Sequence, residues 1–233
     1  MMNEKKTNKL FLKKEAESRG IPLCGVAELS TLNLDLFNLP RDTLTRFPFG
    51  ISLGLKLSDA IIEGIIDQPT RLYFHHYRQA NNFLDSTAFK ITCLIEAKGF
   101  QALPIAASQV IDWQNQRGHL SHKKVAVGSG LGWLGRNNLL VTPQFGARVR
   151  LVTILTNLPL IPDTPLTEGC ADCMACIPTC PAGAIKEKQE DFDHWRCYDQ
   201  LKSFKKKANL GHFICGICVK ACKEKRGGVL ESG

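Results

Sequence analysis

The feature that most constrains this chain is a series of cysteines in its last third. Residues 170 to 185 read CADCMACIPTCPAGAI, residues 215 to 222 read CGICVKAC, and Cys197 lies alone between them in DHWRCYDQ. Eight thiols separated mostly by two or three residues force the chain to turn within each gap, so that neighbouring sulfurs face a common centre. Ten cysteines in all would suit disulfides in a secreted protein. The opening MMNEKKTNKLFLKKEAESRG, however, has no apolar stretch of the kind a signal peptide needs and reads as a solvent-facing helix. A cytoplasmic location is therefore expected, where clustered cysteines serve as metal ligands rather than cystines. No membrane partner is expected either, because VRLVTILTNLPLIP is well short of the roughly 18 apolar residues of a span and carries charge, amide and prolines.

Cys170, Cys173, Cys176 and Cys180, followed by Pro181, have the C-x2-C-x2-C-x3-C-P spacing of bacterial two-cluster ferredoxins. In that pattern three thiolates hold one cubane and the fourth, turned away by the proline, reaches another. Cys215, Cys218, Cys222 and Cys197 complete the set. By ferredoxin logic, Cys170, Cys173, Cys176 and Cys222 bind one 4Fe–4S cluster, and Cys180, Cys197, Cys215 and Cys218 a second. Two four-cysteine zinc sites use similar gaps; the short gaps ending in Cys-Pro favour iron and sulfide. Eight thiolates and two 2+ cores would bring the formal charge from +8 to about +4. Cys24 and Cys93 sit in apolar settings and read as small buried hydrophobes.

The remainder is an α/β pattern. Helices are expected near 3–19, from Ser58 through DAIIEGII, over 72–97 with Gly99 ending it, and near 119–128; strands are expected in LCGVAEL, FGISLGL, FQALPIAA and RVRLVTILTNL. Three prolines in LPLIPDTPLTEG suggest a boundary, giving an α/β cofactor-binding domain over 1–164 and a ferredoxin-like domain over 165–233.

Within the first of these parts lies GSGLGWLGRNNLL. Gly130, Gly132 and Gly135 satisfy G-x-G-x-x-G, but a dinucleotide site needs an acid about 20 residues later, and none occurs between Asp112 and Asp163. That acid-free stretch carries Arg117, Lys123, Lys124, Arg136, Arg148 and Arg150, which suits an anionic or phosphate-bearing cofactor. A tight connection between helix and strand is the plainer role for the glycines. His119 with His122, and His75 with His76, read as packing or capping residues.

The glycine loop and the cysteine series together resemble the epoxyqueuosine reductase family, cobalamin-dependent enzymes related to reductive dehalogenases. The matching pieces are GIPLCGVAEL, GLGWLGRNNLL, LTNLPL and the cysteines, including the lone Cys197. The resemblance implies a nitroreductase-like domain holding cobalamin, followed by a two-cluster ferredoxin-like domain that delivers single electrons to cobalt. It places Ser108, Gly130, Leu131, Gly132, Trp133, Gly135, Arg136 and Asn137 at the corrinoid, with a ferredoxin or flavodoxin as donor. Two departures bear on a tRNA partner. The family's acidic residue has no counterpart at Ser108, Gln109 or Gln116, which leaves Asp112 or a substrate group as proton donor, and the chain stops soon after Cys222, a short form without helical repeats. The expected function is an iron-sulfur oxidoreductase acting through cobalamin; the alternative is an electron-transfer or activating partner for another redox protein. A third class, RNA binding, rests on eight Lys/Arg against two acids in residues 201–233.

Overall fold

A computed structural model of the chain describes residues 2–223. Lys225, Arg226, Glu224 and Glu231 of the basic end lie outside the described residues. The chain divides into two compact units: residues 1–57, 75–133 and 150–168 form the first, and 58–74, 134–149 and 169–233 form the second.

The first unit is a mixed α/β layer. Helix α1 (Met2–Ser18) leads into β1 (Leu23–Glu28), and a short α2 (Thr43–Arg46) precedes β2 (Phe49–Lys56). A brief α3 (Asp59–Glu63) belongs to the second unit, and the long α4 (Arg71–Glu96) lies in the first from residue 75 onward. Then come β3 (Ala102–Ile105), α5 (His122–Gly128), the two-residue strands β4 (Trp133–Leu134) and β5 (Leu140–Val141), and β6 (Val149–Thr156). The main sheet has the order β1-β2-β6-β3, with β1 antiparallel to β2 and β3 antiparallel to β6.

Periodicity explains the long helix. Ala80, Leu84, Ala88, Ile91 and Ile95 recur at intervals of three and four and are buried, the last four in one core with Val26, Ile51, Val152 and Ile154 of the sheet. Thr70 caps the helix by accepting the Tyr73 N–H at 3.0 Å. Helix α1 differs from the solvent-facing helix expected: Asn8, Leu12 and Ala16 are buried, a stripe of one residue per turn set among lysines and glutamates. The helix expected from Ser58 stops at Glu63. Cys93 is exposed, not buried, whereas burial pushes the Cys24 thiol up to about 12.

The proline-rich segment after β6 belongs to the first unit's packing. Leu158 and Leu160 are in its core, Asp163 N–H donates to the Val26 carbonyl at 2.7 Å, and the Asp163 carboxylate accepts the Val26 N–H at 2.9 Å and pairs with Lys9. Among the described residues, no helix is long and apolar enough to cross a membrane.

His122 is a structural residue. Its Nε2–H donates to the Ala106 carbonyl at 3.1 Å, and Nδ1 accepts from the Thr153 hydroxyl at 2.8 Å, so both nitrogens are used. His119 Nδ1 lies 3.0 Å from the Phe37 carbonyl instead. Burial lowers the His122 pKa to about 4. A buried histidine with a depressed pKa binds its proton more readily when unfolded, so its contribution is complete above about pH 6.5 and is lost as pH falls toward 4. Urea midpoints of the wild type and His122→Gln across this window are expected to converge at low pH by about 3 kcal/mol; a constant gap between them would contradict the assignment.

Candidate metal centre

All eight clustered cysteines lie in the second unit, and all are free thiols. The first loop is a chain of tight turns. The Cys173 N–H donates to the Cys170 carbonyl at 2.9 Å, Ile177 to Met174 at 3.0 Å, Cys180 to Ile177 at 3.2 Å and Gly183 to Cys180 at 3.1 Å. The Cys170–Cys173 gap is thus closed by a turn and further turns follow through Gly183, which is why two or three intervening residues suffice.

The later cysteines sit on helices. The first turn of α6 (His194–Lys207), capped by Asp193 accepting the Arg196 N–H at 2.9 Å, carries Cys197. Cys218 opens α7 (Ile217–Ala221), and Cys222 follows it. Between Cys215 and Cys218 only glycine fits. Gly216 has φ +86°, and a Cβ there would lie 2.5 Å from Ile65 Cδ1 and 2.7 Å from the Tyr73 ring.

The thiols fall into two neighbourhoods. Burial pushes Cys222 up to about 11, and Cys170, Cys176 and Cys173 press it in the same direction. Burial likewise pushes Cys215 up to about 11, with Cys197 and Cys180 adding to the rise. Cys218 is raised by burial and then by Cys215, Cys197, Cys176 and Cys180, so it lies near members of both sets. Among the described residues, no three His, Cys, Asp or Glu side chains converge as ligands of a single ion. A cubane makes a different demand, since each thiolate takes its own iron corner and the sulfurs stand apart.

Arg136 holds the first cysteine loop. Its Nε donates to the Glu187 carbonyl at 2.5 Å, Nη1 to Cys173 at 3.0 Å and Nη2 to Ala171 at 2.8 Å. One planar guanidinium therefore gathers three carbonyls from both sides of the loop. Arg148 does the same for the end of α7. It is buried, pairs with Asp59 at 2.7 Å and Glu63 at 2.8 Å, and donates to the Lys220 carbonyl at 2.7 Å. Lys220 Nζ in turn donates to the carbonyls of Glu63 and Ile65. Asp59 and Glu63 had no local sequence signal, being more than 80 residues from Arg148.

The residues expected at a corrinoid divide between the units: Ser108, Gly130, Leu131, Gly132 and Trp133 are in the first, and Gly135, Arg136 and Asn137 in the second. A Cβ on Gly130 would lie 2.5 Å from the Thr164 carbonyl, and one on Gly135 would lie 2.5 Å from Val141. These glycines thus let the chain pack on itself. Asn137 is buried, accepts the Leu139 N–H, and keeps an Nδ2 donor with no protein partner. The cations of the acid-free stretch are also committed. Arg117 pairs with Asp35, Lys124 donates to the Asn33 carbonyl, and Arg150 donates to Asn81 and stacks on Tyr77.

Ser108 stands in a polar group that the sequence reading missed. Its φ is +61°, an uncommon conformation for a residue with a side chain. Its hydroxyl bonds to that of Tyr77, the ring over which Arg150 lies at 4.3 Å. One residue away, the Ala107 N–H donates to Asp85 at 2.7 Å. Burial raises the Asp85 pKa, and Asp85 lines a cavity of about 540 Å³ with Phe89, Lys90, Pro104 and Ala106. Asp112 is a turn residue instead: the Asn115 side chain, then main-chain N–H groups, hold its exposed carboxylate below its ordinary pKa. As an exposed anion it is a poor proton donor.

No protein-family profile matches the chain. It is 32% identical over 142 residues to an epoxyqueuosine reductase of Bacillus anthracis, which covers 57% of this chain and 36% of that protein. A tetrachloroethene reductive dehalogenase of Sulfurospirillum multivorans is 34% identical over 117 residues, covering 45% and 23% respectively. The chain therefore spans only about a third of the length of such curated relatives. Among solved structures, a B12-dependent reductive dehalogenase superposes with TM-score 0.72 at 17% identity over 93% of this chain and 32% of its own. The epoxyqueuosine reductase of Streptococcus thermophilus gives 0.61 at 21% over 94% and 66%, and an epoxyqueuosine reductase bound to a tRNA-Tyr stem loop gives 0.64 at 19% over 93% and 64%. The chain is thus similar in sequence to epoxyqueuosine reductases over part of its length, and its mixed α/β fold resembles that of both kinds of protein.

Removing Arg136 is expected to loosen the first cysteine loop. In Arg136→Ala, amide hydrogen exchange over residues 170–188 should quicken, with a loss of roughly 2–4 kcal/mol for three charge-assisted bonds. Arg136→Lys should recover only part of this, since an ammonium lacks the planar fork. Exchange unchanged in Arg136→Ala would contradict the role.

Proposed function

We propose that the chain is an iron-sulfur oxidoreductase of epoxyqueuosine reductase-like kind. In this reading a ferredoxin-like unit holds two 4Fe–4S clusters, and a nitroreductase-like unit holds a corrinoid. The observation that supports it most is the grouping of the thiols: Cys222 is pressed by Cys170, Cys173 and Cys176, and Cys215 by Cys180 and Cys197, with Cys218 near members of both sets. The groupings at Cys222 and Cys215 agree with the partition that the ferredoxin spacing requires. On this reading the turns of the first loop would present Cys170, Cys173 and Cys176 to one cluster and Cys180 to the other, and α6 would supply Cys197.

When bound, these groups supply a one-electron relay and strongly reducing cobalt chemistry. The chain's own part is to hold and orient. Arg136 fixes the first cysteine loop, and Arg148 and Lys220 fix the segment ending in Cys222. Ser108, with the Tyr77 hydroxyl to which it bonds, offers hydrogen-bonding groups suited to the amides of a corrinoid. Asp85 is the acid whose protonated form burial favours, and it stands in for the acid that Ser108 and Gln109 do not provide. A ferredoxin or flavodoxin would supply electrons, and the relative's stem-loop complex supports a tRNA as a partner.

A second reading, an electron-transfer or activating partner for another redox protein, is favoured by one observation. The space beside Gly130 and Gly135 is filled by the chain itself.

Anaerobic reconstitution with iron, sulfide and cobalamin, followed by metal counts on the desalted protein, separates these readings. About eight irons and one cobalt per chain are expected. Eight irons without cobalt would favour the second reading, and zinc in place of iron would contradict both. Cys197→Ala is expected to lose about four irons and keep the rest; an unchanged count would remove Cys197 from the ligands.

A further inference from the structure

Helix α6 has two unlike faces. At 3.6 residues per turn, Cys197 and the buried Phe204 fall on one side, and Trp195, Lys202 and Lys206 on the other. Trp195 is 53% exposed. Its ring meets Tyr198 edge-on at 6.2 Å, and Tyr198 packs against Phe213 at 5.4 Å. Lys202 Nζ lies 4.8 Å from the centre of the Tyr198 ring, and Lys205 Nζ lies 4.4 Å from that of Phe213. The helix carries Arg196, Lys202, Lys205, Lys206 and Lys207 against a single acid, Asp199.

An exposed tryptophan within a cationic rim is the composition of a docking surface, where one aromatic anchor is surrounded by charges that steer encounter. On the basis of the cluster reading above, we propose that this face of α6 docks a small acidic electron-carrier protein. The carrier hands one electron to the cluster ligated by Cys197, which lies on the other side of the same helix, about 10 Å away. The carrier's reduced iron-sulfur centre is oxidised by one electron, and the acceptor goes from the 2+ to the 1+ state. No bond is made or broken, and no proton moves.

Charge complementarity identifies the occupant as acidic, and ring geometry favours protein over RNA. Single-stranded nucleic acid stacks its bases on successive bare rings. Here Lys202 and Lys205 already cover Tyr198 and Phe213, which leaves Trp195 as the ring most open to a partner. Lys202 pairs with Asp199 at 2.6 Å, so the positive excess of the helix rests on Arg196, Lys205, Lys206 and Lys207.

The test uses the reconstituted full chain and, as probe, a photoreduced acidic plant-type [2Fe–2S] ferredoxin, with cluster reduction followed by stopped-flow absorbance. The wild-type rate is expected to fall steeply as salt rises. The rate should drop roughly tenfold or more in Lys202→Glu/Lys206→Glu and clearly in Trp195→Ala. Reduction by dithionite, which needs no docking, and iron content should stay the same in all three proteins. Equal ferredoxin rates in wild type and variants with intact iron content would overturn the surface while leaving the clusters in place. So would a tRNA stem loop whose binding is lost in these variants while ferredoxin rates are unchanged. A wild-type chain that takes up no iron would overturn the cluster reading and the docking surface with it.

Discussion

Eight thiols crowded into one small unit are the interaction on which the rest of this structure depends. As neutral thiols they range from the buried Cys176 through half-buried neighbours to the exposed Cys173. Ionised, they repel one another at short range unless a metal's charge compensates them. Burial raises Cys215, Cys218 and Cys222, and neighbouring thiols add to it. The unit around them buries Ile62, Ile65, Leu140, Val141, Ile185, Phe204, Leu210 and Ile214, among others. Turns, Gly216 and arginine-to-carbonyl bonds add to this packing in holding the cysteines.

Cations in the acid-free stretch show how electrostatics is divided. Read as a list, Arg117, Lys123, Lys124, Arg136, Arg148 and Arg150 suggest an open positive field. In the structure Arg136 is spent on three carbonyls, and Arg148 on two carboxylates and a carbonyl. Arg150 is spent on Asn81 and Tyr77. On α6, Lys202 pairs with Asp199 and Lys205 lies over Phe213, while Trp195 stays half exposed beside them.

Much of this was legible because the signals were local. Gaps of two and three residues become turns, a stripe at three and four becomes α4, and runs such as FGISLGL become strands. The misses came from contacts that sequence spacing does not encode. Asp59 and Glu63 meet Arg148 across more than 80 residues, and residues 58–74 and 134–149 join the cysteine-bearing unit without any change of composition. Helix α1 hid its buried face because one apolar or neutral residue per turn is too narrow a stripe to stand out among charges. At the glycine loop the motif was visible while its role was not, since a glycine that admits a ligand and one that admits a neighbouring carbonyl look alike in sequence. The Tyr77–Ser108 bond needed the left-handed turn at Ser108, which no residue type announces.

The central claim is that the two sets of four thiols each hold a cubane. Electron paramagnetic resonance of the anaerobically reconstituted, dithionite-reduced protein tests it most directly. Two reduced clusters in so small a unit should give a spin intensity of about two per chain and a spectrum broadened by their mutual coupling. A single uncoupled signal of about one spin, or none in protein that has retained its iron, would contradict the two-cluster arrangement.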